Sequence, residues 1–200
     1  MDTSVRERMI ESAIVLLAQS GYQATSFGAV LERSRTPRGS IYHHFPGGKD
    51  QLIAAAVERA GDRAVALMDS MAGASATEVV DGFVALWRAV LERSGFTAGC
   101  SVLAVTVSSE SADLLDRSRT VFAAWAGSIS ALLRTAGLEQ TRADSVATLL
   151  IAATEGAVVL CRAQQSLDPL DAVHQELRRA VAAPPAAPTA TTTTTTNVPS

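Results

Sequence analysis

Apolar residues recur at intervals of three and four along most of the chain, and strand-like alternation hardly occurs. That spacing predicts helices packed on helices. Met9, Ile10, Ala13, Leu16 and Leu17 mark the inner face of a first helix, which Ser4-x-x-Glu7 can open as a capping box and Gly21 can end. Thr25 or Ser26 caps a short second helix to about Arg33, with Phe27, Val30 and Leu31 turned inward. Thr36-Pro37 opens a third, the threonine as cap and the proline at the first helical position. Pro46-Gly47-Gly48 stops it soon after Phe45, and Lys49 begins a long fourth helix to about Met71. Longer, more apolar helices are expected over 77–93, 100–107, 111–135, 141–166 and 169–181. The predicted fold class is all-α: a three-helix unit over 1–48, then a helical bundle over 49–181. Residues 182–200 (AAPPAAPTATTTTTTNVPS) carry no apolar periodicity and read as a low-complexity tail, too poor in core-forming residues to order.

Composition narrows the classes. Over 200 residues, 48% are hydrophobic and only 18% charged, which excludes a disordered chain. No apolar run approaches the roughly 18 residues needed to cross a bilayer, and no signal-like apolar block opens the sequence, so no membrane partner is expected. Two cysteines, Cys100 and Cys161, cannot build a disulfide framework, and the expected compartment is the reducing cytoplasm.

The net charge of −3 hides a division. Residues 1–60 carry seven basic against six acidic side chains, and the remaining 140 carry ten against fourteen. Within Arg33–Lys49 stand four basic residues, two histidines and no acid. Such a window suits phosphate, although a solvated face gives the same count.

Short helices joined by a tight turn suggest a helix-turn-helix. The third helix, about Pro37–His44, offers Arg38, Ser40 and His43 outward while Ile41 and Phe45 point to the core. Arg38 can donate two hydrogen bonds to a guanine and Ser40 can serve several bases in a DNA major groove. Gly39 either lets the backbone approach DNA or is simply a small residue in a short helix. Thr25, Ser26, Thr36, Tyr42 and Lys49 suit phosphate, which hydroxyls, cations and helix starts all bind. Lys49 is the only lysine of the chain, and the bland alternative is an ordinary surface lysine. His43 and His44 diverge on a helix and the third histidine, His174, is distant, so neither a metal site nor a cofactor is expected.

The stretch GYQATSFGAVLERSRTPRGSIYHHFPGGKDQLIAAAV resembles the DNA-binding domain of the TetR (tetracycline-repressor) family of bacterial regulators. It is most similar to the LmrA/YxaF-like subgroup, repressors of drug-resistance genes that carry a PRGSIYHHFPGGK stretch. Gly39, Tyr42, Phe45 and Lys49 at their spacings, preceded by Gly21-Tyr22 and Thr25, make the likeness specific over residues 5–60. It continues more weakly through Gly99-Cys100 and Glu155-Gly156-Ala157. The resemblance implies that Tyr42 and Lys49 hold the DNA backbone, that an effector cavity lies among the middle helices, and that the last two helices form a homodimer interface. One position departs: Arg35 stands where the family's turn usually has glycine. If that residue adopts positive φ, arginine costs about 1 kcal/mol, which a phosphate contact by Arg35 could offset and a different turn type would avoid.

Phe83, Trp87, Leu103, Phe122 and Trp125 could line the effector cavity, or individually serve as core. Glu155 interrupts the apolar run LLIAATEGAVVLCRA; it either pairs with Arg162 or a ligand, or faces solvent or an interface. Cys100 is either an oxidant-sensing thiol or a small buried one. Ile151, Thr154, Ala157, Val158 and Cys161, with Leu170, Val173 and Leu177, are the expected dimer stripe, completing a four-helix bundle with a two-fold mate. Together these features imply a repressor, a homodimer on palindromic double-stranded operator DNA, released by a small apolar effector. An activator of the same fold, a small helical enzyme using Glu155 and a helical interaction module are the alternatives. No nucleophile–base pair is evident, and Pro46-Gly47-Gly48-Lys49 lacks the spacing of a P-loop.

Overall fold

The computed structural model describes residues 4–182, which form nine helices and, among the described residues, no strand. In chain order these are α1 (Val5–Ala24), α2 (Phe27–Ser34), α3 (Arg38–His44), α4 (Lys49–Asp69), α5 (Ala76–Ser94), α6 (Ser101–Ser108), α7 (Ala112–Thr135), α8 (Gln140–Gln164) and α9 (Asp168–Ala182). The architecture is all-α, with an N-terminal helix-turn-helix arrangement and a C-terminal bundle, as the periodicity predicts. Of the expected tail, Ala182 belongs to α9 and the rest lies outside the described residues.

Local chemistry sets the boundaries. Ser4 and Glu7 form the capping box, the Glu7 amide donating to Ser4 Oγ at 3.2 Å, and Ser75 with Glu78 forms a second at the start of α5. Gly21, at φ 81° and ψ 178°, breaks α1 one turn before its end, a backbone state that costs other residues dearly. Ser26 caps α2 by accepting the Ala29 amide. One expected cap is different. Pro37 sits at the cap of α3 with extended backbone, φ −64° and ψ 145°, rather than at its first helical position. The Thr36 hydroxyl caps nothing, because it is paired with Ser34 at 2.6 Å.

One continuous apolar cluster runs from Met9 to Val181. Within it α1 packs on α2, α4 and α6, α7 lies between α4 and α8, and α9 covers α5 and α8. Gly61 lets α4 and α7 close together: a Cβ there would meet Val121 at 2.8 Å, and the Trp125 indole donates to the Gly61 carbonyl at 3.2 Å. Arg63 of α4 clamps Glu11 of α1 through two hydrogen bonds of 2.5 and 2.6 Å.

α8 departs from two expectations. It is the one helix among the described residues long and apolar enough to cross a membrane by length and composition, with a mean hydropathy of 1.7 over its most apolar window, although 44% of that window is buried in the bundle. The same breadth misdirects the dimer stripe. Thr154, Ala157, Val158 and Cys161, with Leu170 and Leu177 of α9, are buried in this chain's own core, and Ile151 and Val173 are half-buried. The uncovered face is the adjacent one, where Leu149, Val159 and Leu160 are 48, 54 and 50% exposed and Gly156 has no described atom near its absent Cβ. A helix apolar on two neighbouring faces offers the same periodicity to its own core and to a partner.

Candidate DNA-reading surface and effector chamber

α3 is anchored by two residues. Ile41 is 1% exposed and Phe45 fully buried, while the Arg6 guanidinium lies over the Phe45 ring at 5.3 Å. With those positions turned inward, Arg38, Gly39, Tyr42 and His43 are exposed and Ser40 half-buried. Tyr42, 68% exposed, is held edge-on against Phe27 with ring centroids 5.7 Å apart, so its hydroxyl projects from a fixed ring. Arg35 caps α2 in the left-handed region, φ 53° and ψ 44°, its amide donating to carbonyls of the last turn. The turn therefore has the conformation that glycine would favour, and arginine occupies it with an exposed side chain.

Two expected phosphate ligands are placed otherwise. Thr25 is 1% exposed and its hydroxyl donates to the Gly21 carbonyl at 2.8 Å, which holds the broken end of α1. Thr36 is also buried, against Ser34. Both hydroxyls are spent on the turns that carry the surface. Ser26 remains exposed beside the start of α2. Lys49 is half-buried; its ammonium donates to the Tyr22 carbonyl at 2.9 Å and lies 4.2 Å from the centre of the Tyr22 ring. Burial pulls this ammonium below the usual lysine range, and Asp50 beside it pushes back. Asp50 in turn accepts from the Tyr22 hydroxyl at 3.3 Å. Lys49 thus ties the start of α4 to the end of α1. Among the described residues no group of His, Cys, Asp and Glu could hold a metal, and the His43 ring packs edge-on against His44.

Two chambers in the bundle share the wall Ala18, Gln19, Gly99 and Cys100. The first, about 400 Å³, lies between α1, α4, α5 and α7; Trp87 and Trp125 line it, and the buried Trp87 indole N–H has no partner among the described residues. The second, about 340 Å³, lies between α1, α6 and α8 and is lined by Leu103 and Glu155. Of the expected cavity residues, Phe83 and Phe122 line neither chamber. Phe83 is core, and Phe122 packs edge-on against Trp125 at 5.4 Å. Arg162, an expected partner for Glu155, donates instead to the Gln19 carbonyl at 3.3 Å. Neither Glu155 oxygen has a partner of hydrogen-bond geometry among the described residues; burial pushes the carboxyl up to about 7, and the Cys100 thiol, a weak donor beside it, acts in the opposite direction. Burial, with Glu155 nearby, also pushes the Cys100 thiol well above its usual range, so the thiolate needed for oxidant chemistry is disfavoured. The Cys100 sulfur instead accepts the Leu103 amide at the start of α6.

No local signal in the sequence marks the contribution of α1. Ala18 and Gln19 line both chambers, yet their pattern reads only as a helix face against a core. The Gly99 amide donates to the Ala18 carbonyl at 2.8 Å and Gln19 Nε2 donates to Thr97 Oγ1 at 3.3 Å, so the chamber wall is hydrogen-bonded to α1 just before its break at Gly21.

Comparison with known proteins agrees with this arrangement. Residues 9–56 match the family described as "Bacterial regulatory proteins, tetR family", and residues 76–176 match "Transcriptional regulator LmrA/YxaF-like, C-terminal domain". The chain is 37% identical over 187 residues to the uncharacterized HTH-type transcriptional regulator Rv0196 of Mycobacterium tuberculosis, covering 89% of this chain and 94% of that one. It is 27% identical to the HTH-type transcriptional regulator LmrA of Bacillus subtilis, over 82% of this chain and 90% of that one. The crystal structure of a TetR transcriptional regulator from Legionella pneumophila superposes with a TM-score of 0.79 over 90% of this chain and 98% of that one; at 22% identity this speaks for the fold alone. A helix-turn-helix with an exposed α3, set on a chambered bundle and matched along both halves, makes this chain a DNA-binding transcriptional regulator of the TetR family.

Proposed function

We propose that the chain is a repressor of the LmrA/YxaF-like branch, a cytoplasmic homodimer that holds a palindromic operator until a small, largely apolar effector enters the bundle. The observation that carries this reading is the hydrogen-bonded wall between the chambers and α1: the Gly99 amide on Ala18 and Arg162 on Gln19 connect the cavity to the helix that ends at the DNA-reading unit. An effector that favours a displaced wall moves α1, and α4 with it through the Arg63–Glu11 pair. Release of DNA follows when the effector binds the displaced state more tightly than the DNA-bound one.

On the DNA, Arg38, Ser40 and His43 are the base-reading side chains, with Gly39 allowing close approach. Tyr42, Ser26 and Arg35 take phosphate, and Lys49 reaches the backbone by leaving the Tyr22 carbonyl. The free face of α8, with Leu149, Val159 and Leu160 around Gly156, supports pairing with a second copy, since exposed apolar side chains in a row favour burial. Footprinting of the DNA flanking its gene, followed by titration of the protected duplex at several salt concentrations, tests the reading. Binding should weaken steeply with salt and protect a two-fold symmetric site. Absence of a protected site, or affinity indifferent to salt, would refute it.

A further inference from the structure

A buried carboxylate with no partner is expensive, and proteins rarely keep one without a use. Glu155 is 7% exposed, both of its oxygens lack hydrogen-bond partners among the described residues, and it lines the 340 Å³ chamber. Its neighbours do not satisfy it. Arg162 is turned to the Gln19 carbonyl, and Cys100 offers only a weak S–H donor. The rest of the chamber wall is mainly aliphatic, with Leu17 of α1, Leu103 and Val107 of α6, and Val158 of α8, and no aromatic ring lines it.

We propose that this chamber binds a protonated aliphatic amine, its ammonium N–H groups on the two Glu155 oxygens and its hydrocarbon against Leu17, Leu103 and Val158. The assignment deepens the effector reading above and rests on it for its regulatory meaning. Two acceptors without donors call for a ligand with several N–H bonds, and donation to an ionised carboxylate is the stronger kind of hydrogen bond. A quaternary ammonium has no N–H to give and finds no aromatic face to sit on. An alcohol supplies one neutral donor. The proton balance is simple: the ammonium enters charged, and the proton that the buried carboxyl holds near neutrality leaves to solvent. Amine affinity therefore rises with pH until the carboxyl is ionised without help. The other ionisable groups lining the chamber are Cys100, which burial keeps protonated, and Arg162; α1 contributes Leu17 to Gly21, and α6 contributes Leu103, Ala104 and Val107, none of them ionisable.

Calorimetric titration of the full-length protein with cyclohexylamine, trimethylcyclohexylammonium and cyclohexanol, between about pH 5.5 and 8, tests this. At the upper end cyclohexylamine should bind roughly tenfold or more tighter than either analogue. Its affinity should fall by about tenfold per pH unit below 7. Glu155→Gln should erase both the preference and the pH dependence. Equal binding of the three probes, a flat pH profile, no binding of cyclohexylamine, or an unchanged preference in Glu155→Gln overturns the proposal. If that variant does not fold, the wild-type series decides by itself. Displacement of operator DNA is measured separately. Cyclohexylamine bound through Glu155 without effect on DNA would sink the effector reading and leave the amine site standing. DNA released by a neutral apolar compound, with no amine bound, would do the reverse.

Discussion

The surface around α3 and the free face of α8 are two parts of the chain that its own packing leaves uncovered, and they are built in opposite ways. Around α3, Arg35, Arg38, Tyr42 and His43 surround a small apolar anchor of Ile41 and Phe45. On α8, Leu149, Val159 and Leu160 stand exposed beside a second apolar face that is fully buried. The first surface suits a charged partner that is bound and released, because its attraction depends on counterions and salt. The second gains only by staying covered. In the function proposed above, the first is the interface that exchanges and the second the one that persists.

The largest effect separates the two faces of α8. Ala157 is 1% exposed, so Ala157→Arg drives a charge into this chain's own core and should cost about 4 kcal/mol or more, unfolding the subunit. Leu160→Arg adds the same charge to the free face and should leave the thermal midpoint of the subunit close to wild type while abolishing self-association. Sedimentation with thermal melting reads both. A folded, monomeric Ala157→Arg protein would reverse the assignment of the faces.

Next in size is the pH dependence of the bundle. The Glu155 carboxyl, ordinarily near 4.5, is pushed up to about 7 by burial in the folded chain. Below 4.5 it is protonated folded and unfolded alike and contributes no difference. Between 4.5 and 7 the unfolded chain releases its proton while the folded chain keeps it, so stability falls as pH rises, by on the order of 3 kcal/mol, and then levels off. Denaturant unfolding of wild type and Glu155→Gln should give curves that coincide near pH 4 and diverge towards pH 8, the variant being the more stable. Curves that stay parallel would place the carboxyl in contact with water.

On the DNA side, Arg38→Ala should cost about 1–3 kcal/mol per half-site at one base pair and leave random-sequence binding nearly intact. Equal losses on operator and random duplex would move Arg38 from base reading to backbone holding. Lys49→Ala is the contrast: a uniform loss over all sequences, with a lower thermal midpoint because the Tyr22 carbonyl loses its donor.

How far each region could be read from its residues follows the same contrast. α3 is seven residues long with two apolar anchors, so its outward face is fixed as soon as Ile41 and Phe45 are placed. The helices of the bundle could be bounded to within a residue or two, since the spacing of their apolar residues is a local signal. The faces of α8 could not be assigned, because an apolar stripe has no mark for inside or partner. Thr25 and Thr36 show the same limit on a smaller scale: a hydroxyl beside a turn serves phosphate or the turn itself, and only the fold decides. The chamber wall was illegible because it joins residues far apart, Ala18 with Gly99 and Gln19 with Arg162.

The smallest effect is at Arg35, where the demands of the turn and of DNA binding meet in one residue. Its backbone lies at φ 53°, ψ 44°, a state that costs arginine about 1 kcal/mol relative to glycine. Nothing in the fold requires the side chain, which is exposed at the turn between α2 and α3. Arg35→Gly removes the strain but also loosens the unfolded chain, so the net gain in stability should be a few tenths of a kcal/mol up to about 1. If the guanidinium holds a phosphate, the same substitution weakens DNA binding and lowers the salt slope by about one counterion per subunit. Stability and affinity then move in opposite directions in a single variant. A melting curve raised slightly with an unchanged salt slope would leave Arg35 without a role in binding, and a lowered melting point would show that its side chain supports the turn.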